Sequence, residues 1–198
     1  MTLDENITNA MQVILKTYEN VDKLMKYCKM VAFENTNYLV VEPSFKPKFL
    51  RWKSDADYKG WLTTDFIMLF QSKADEACLS GNKWRNGSVY VMEICLADNT
   101  VRVPTVFLSR FIYMDISKWS AGISATKHRL FYEPIRNQEL MDISEIDQLR
   151  KSVPKNEKSS ANRSVSKIYT LSAPLTKLTA ENLQEEVFGA FDRLSCMT

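Results

Sequence analysis

The chain has 198 residues, 45% hydrophobic and 25% charged, with a net charge of +2. That composition excludes a disordered or collagen-like polymer, and the length can bury a core without disulfide or metal staples. With only five glycines, long flexible linkers and glycine-rich phosphate loops are disfavoured.

Residues 4–30 place Ile7, Ala10, Met11, Ile14, Tyr18, Val21, Met25 and Cys28 at steps of three and four, one face of a helix. Asp4 is the expected N-cap, with Glu5 in the first turn. This stripe is expected to pack on the core, with a dimer seam as the alternative. The opening stretch carries Asp4 and Glu5 where a signal peptide needs positive charge, so no targeting segment is expected.

Tyr38–Val41 (YLVV) reads as a short buried strand stopped by Pro43. Next comes Phe45–Trp61, where Lys46, Lys48, Arg51, Lys53 and Lys59 interleave with Phe45, Phe49, Trp52, Tyr58 and Trp61. Cations attract phosphates or acidic groups and flat rings offer stacking surfaces. The structural reading of the same residues is aromatic core anchors within a lysine-solubilised loop. Thr64–Ser80 is then expected to be a central helix, with Phe66, Phe70, Ala74 and Ala77 on one side and Gly81 as its stop. A second basic–aromatic–basic cluster, Lys83-Trp84-Arg85, precedes the turn signal Asn86-Gly87.

The middle of the chain is β-rich. Ser88–Leu96 is a β-prone run, Ala97-Asp98-Asn99 a turn, and Thr100–Leu108 the expected antiparallel return. Pro104 lacks an N–H, which predicts an edge position or a bulge for that return strand. Phe111–Met114 and His128–Tyr132 are further strand candidates. Ser144, with Asp147 three residues on, suggests a short helix. Ser152–Ser166, with five serines and few large apolar residues, reads as a loop or linker. Ile168–Leu171 is a last strand, and Thr179 caps a terminal helix bearing Leu183, Val187, Phe191 and Leu194. The expected fold is a single α+β domain over 1–198, with a central antiparallel sheet packed by N-terminal, central and C-terminal helices.

Charge is uneven along the chain. Phe45–Trp61 has five basic and two acidic residues, and Arg150–Lys167 has six basic and one acidic; the remainder carries −6. If the two basic segments converge, they form a patch that attracts anions.

Motifs for enzymatic chemistry are missing from the sequence. GxxxxGK[ST], GxGxxG, GxSxG and HExxH do not occur. His128 is the only histidine, which rules out a multi-histidine metal centre. Cys28, Cys78, Cys95 and Cys196 form no CxxC pair, and the first three lie among apolar residues, as buried thiols of a reducing cytoplasm would. Nothing approaches eighteen uninterrupted apolar residues, so no membrane partner is expected.

Three readings follow. The first is a non-catalytic binding module for an anionic partner, nucleic acid first and acidic protein second. Lys46, Lys48, Arg51, Lys53 and Arg85 would contact phosphates, and Trp52, Trp61 or Trp84 would stack. A second is a metal-dependent hydrolase or nuclease using Asp65, Glu93 and Asp98, since magnesium prefers oxygen ligands. Against it, Glu93 has the simpler role of pairing with Arg102 across a hairpin. The third is an assembly protein that associates through the helix at 4–30 or the one at 180–195. No cofactor is expected in the first or third reading.

Overall fold

In the computed structural model the described residues are 2–41, 62–78, 84–97, 101–114, 116, 131, 135, 137–155 and 165–197. Helix α1 (Leu3–Asn35) opens the chain. Seven strands follow: β1 (Tyr38–Val40), β2 (Asp65–Ser72), β3 (Val89–Cys95), β4 (Thr105–Tyr113), β5 (Met141–Ile146), β6 (Leu149–Pro154) and β7 (Val165–Pro174). A π-helical stretch, Gln184–Gly189, then runs directly into α2 (Ala190–Ser195). The strands form one sheet in the order β1-β2-β3-β4-β7-β6-β5, antiparallel at every pairing. The architecture is α+β.

Both faces of the sheet are covered, and this decides what its central strands look like in sequence. On one face Phe66, Met68, Phe70, Tyr90, Met92 and Ile94 pack under Val21, Met25 and Cys28 of α1 and under Val187, Phe188 and Phe191. On the other, Ile67, Leu69, Val91, Phe107 and Phe111 pack with Trp84, Phe131 and Ile135. Strands buried on both faces need apolar residues at nearly every position. Within the expected central helix at Thr64–Ser80, Asp65–Ser72 is therefore strand β2. Phe66 and Phe70 share a face because four residues is two full pleats of a strand as well as about one helical turn.

Other expectations change for equally local reasons. Pro104 lies just before β4, which is an interior strand between β3 and β7; its carbonyl accepts from the Leu175 N–H at 2.8 Å. Phe111–Tyr113 continues β4 rather than forming a separate strand. Instead of a helix at Ser144, β5 and β6 form a hairpin whose turn residues Asp147 and Gln148 have φ of 50° and 67°, the signature of a type I′ turn. The expected linker at Ser152–Ser166 is strand at both of its ends: Ser152 is buried in β6, and Val165 and Ser166 open β7. Residues 156–164, like the candidate strand at His128–Tyr132 apart from Phe131, lie outside the described residues.

Helix α1 is capped by Thr2 rather than Asp4. The Glu5 N–H donates to Thr2 Oγ1 at 3.2 Å, and the Thr2 N–H donates to Glu5 Oε2 at 2.6 Å, a reciprocal capping box. Thr179 closes the turn ahead of the last helical segment rather than capping it: its hydroxyl accepts from the Asn182 N–H at 3.3 Å and Asn182 Oδ1 accepts from the Thr179 N–H at 2.8 Å, while the segment itself starts from Leu183 with no side-chain cap.

Candidate interaction surface

Of the residues expected to hold an anion, Lys46, Lys48, Arg51, Trp52, Lys53 and Trp61 lie outside the described residues, as do Asp98 and His128. The second basic–aromatic cluster is described only from Trp84 onward. Trp84 is 1% exposed in the core of the second face, so its ring offers nothing to a base; it is a packing anchor. Arg85 is engaged by its own neighbourhood. The buried Gln71 amide accepts from the Arg85 N–H and donates to the Arg85 carbonyl, both at 2.8 Å, while the guanidinium donates to the carbonyls of Lys73 and Asp75.

Of the second basic segment, Lys158 and Arg163 lie outside the described residues. Arg150 Nη2 meets Glu145 Oε2 at 3.2 Å, and Lys155 lies 3.9 Å from Asp142, so acids of β5 offset two of its cations. At the far end of α1, Glu34, Glu181, Glu185 and Asp192 ring a recess of about 650 Å³ walled by Tyr38 and Phe188. Burial raises the Tyr38 hydroxyl pKa, and that hydroxyl donates to Asp192 at 3.0 Å. This end of the described surface repels anions.

Of the candidate metal carboxylates, Asp65 and Glu93 fall on the same sheet face. Asp65 is paired with Cys95, and Glu93 with Ile67 on β2 and Phe107 on β4. The register thus sets Phe107 across from Glu93, and Arg102 precedes β4 at an exposed position. Glu93 is fully buried. Among the described residues, no group of three His, Cys, Asp or Glu side chains is placed to hold a metal ion. Cys28, Cys78 and Cys95 are free buried thiols, and burial pushes Cys28 up to about 12.

The two candidate seams separate sharply. The terminal stripe is spent on the core, since Leu183, Val187, Phe191 and Leu194 are all fully buried. The stripe of α1 is spent only in part. From Val21 onward it packs on the sheet, whereas Leu3 is 74%, Ile7 56%, Met11 49% and Leu15 62% exposed. Tyr18 marks the boundary: its hydroxyl contacts the backbone of Thr63 at 3.0 Å and its ring meets Phe66.

The overhang follows from lengths. A helix of 33 residues is about 50 Å long, whereas β7, the longest strand at ten residues, spans about 34 Å. A helix lying along such a sheet must run past it. Sequence periodicity could not separate the buried half of the stripe from the free half, because both have the same period. The mismatch in length was the available signal.

No protein-family model matches the chain, and neither does any curated protein or solved structure. No helix among the described residues is long and apolar enough to cross a membrane.

Proposed function

We propose that this protein is a non-catalytic interaction module that presents the free half of α1, residues 3–17, to a protein partner. The observation behind this reading is the apolar stripe Leu3, Ile7, Met11 and Leu15, exposed on a helix whose continuation is packed in the core. An apolar face of that kind gains free energy by leaving water.

A photo-crosslinking side chain at Met11, used in an extract of the cells that make the protein, tests the reading. Adducts that vanish in Ile7→Glu/Ile14→Glu and are competed by a peptide of residues 2–20 support it. If no adduct depends on the stripe, the reading fails.

A second reading is supported by the charge of Phe45–Trp61, five cations against two acids: recognition of nucleic acid, or of an acidic protein, by Lys46, Lys48, Arg51 and Lys53 with Trp52 and Trp61. Binding to single-stranded and duplex probes across a salt series should then weaken linearly in log salt. Loss of that slope in a Lys48→Ala/Arg51→Ala/Lys53→Ala variant would assign the surface, and absence of binding at low salt would remove it.

A further inference from the structure

The free half of α1 carries more than exposed apolar residues. Leu3, Ile7, Ala10 and Ile14 step by four, three and four, the first three exposed and Ile14 half-buried at the inner end, the spacing of a heptad seam in which Ile7 and Ile14 take one core position and Leu3 and Ala10 the other. The positions flanking this seam are Asp4, Asn6, Met11 and Val13. Only one of these four is charged. In paired helices the flanking charges choose between partners, and a seam with almost none meets no like-charge penalty against itself.

We propose that the occupant of this face is a second copy of the chain, lying antiparallel, with Leu3 of each copy against Ile14 of the other and Ile7 against Ala10. This rests on the interaction reading above and specifies its partner.

The direction follows from where the rest of the molecule sits. Beyond Tyr18 the same helix face is covered by the chain's own sheet, through Val21, Met25 and Cys28. A parallel copy would bring its own sheet to the same level on the same side of the helix, where the first sheet already stands. An antiparallel copy sets the two sheets at opposite ends of the seam and also opposes the two helix dipoles.

Beyond the inner end of the seam, a groove of about 600 Å³ lies on the flank of α1 that faces the segment after β7, lined by Thr17, Asn20, Val21, Leu24, Leu175 and Leu178. Two such helical halves, roughly four turns each, bury on the order of 1,000 Å², the lower limit for a specific interface. The dimer is therefore weak and concentration-dependent.

Light scattering on the full chain between about 5 and 500 µM, a range centred on the affinity of small interfaces, is the test. The expected result is a mass rising toward twice that of the monomer, held at the monomer value by Ile7→Glu/Ile14→Glu. Ile7→Ala/Ile14→Ala, which keeps a strong helix former at both sites, should do the same and covers the case in which the glutamates disturb folding.

Orientation is read by disulfides on a Cys196→Ser background. Leu3→Cys/Ile14→Cys should close bonds between copies on mild oxidation. The two positions are about 16 Å apart along one helix and cannot bond within it. Leu3→Cys alone should stay uncrosslinked.

A monomer at every concentration overturns self-association, as does a dimer that survives both paired variants. A dimer in which Leu3→Cys alone crosslinks overturns the antiparallel direction. The Met11 photo-adduct separates this failure from failure of the interaction reading: an adduct to a different protein sinks only the homodimer, and no stripe-dependent adduct sinks both.

Discussion

Arg110, in the middle of β4, donates from Nη1 to the carbonyl of Leu194 at 3.0 Å. The same nitrogen reaches the carbonyls of Ser195 and Met197, both at 2.8 Å, and Nε donates to Ser88 Oγ at 2.9 Å. The last carbonyls of a helix have no partner within it and carry partial negative charge. Here a cation from the sheet answers them and ties α2 to β4. Lys73, just after β2, does the same for α1: Nζ donates to the carbonyls of Ala32, Phe33 and Thr36 at 3.2, 3.1 and 2.7 Å. The last turn of α1 has no basic residue of its own.

Replacing Arg110 with Met should cost about 2 kcal/mol, from lost charge-assisted bonds to partly buried carbonyls. Urea denaturation should show a lower midpoint with an unchanged slope. Arg110→Lys should recover part of the loss, because a cation remains but the fork that also reaches Ser88 does not.

Lys73→Met should open the end of α1 locally. Amide exchange at residues 33–38 should accelerate, with a global loss of about 1 kcal/mol. Protection of β3 and β4 should be lowered only by the global change.

Two turn positions should respond in opposite senses. Gly87 has φ of +137°, and a Cβ there would lie 2.3 Å from the Asp75 carboxylate. Gly87→Ala should destabilise by about 2 kcal/mol or more, combining backbone strain with that collision. Gln148, at φ of 67° in the β5–β6 turn, holds a conformation that glycine adopts without penalty. Gln148→Gly should raise stability by up to about 1 kcal/mol; a lower melting temperature in that variant would refute the turn assignment.

Acid should loosen one exposed turn of α1 before the core responds. Hydrogen bonds from Lys23 and Lys16 hold the Glu19 carboxyl down at about 2, from a usual 4.5. A depressed carboxyl contributes stability that is fully present above its unfolded value and is lost as pH falls through the folded one. The contribution is therefore lost between about pH 4.5 and 2. Carboxyl NMR should give Glu19 a midpoint near the lower end of that window, moving up with added salt as the exposed pairs are screened.

Much of the fold was legible in the chain. Continuous β-prone apolar runs and turn residues marked Tyr38–Val40, Val89–Cys95 and the core of β7, and the helical period marked α1 and the terminal helix. Thr179 marked the turn that precedes that helix. These are local signals: each depends on residues within one turn or one pleat of each other. Where two periods coincide the signal failed, as at Phe66 and Phe70, whose spacing suits a helix turn and a strand face alike.

Amino-acid order alone thus determined which segments have an apolar face and, for most of them, the period of that face. Tertiary structure decided what each face meets. Trp84 looked like a stacking ring and is a core anchor, because β2 and β3 lie on both sides of its turn and close over it. Ile7 and Val21 belong to one unbroken stripe, yet Val21 is buried and Ile7 is open to water. Nothing in their spacing distinguishes them. The distinction arises because the sheet is shorter than the helix laid along it, and a sheet's extent is set by strands that pair across the whole chain.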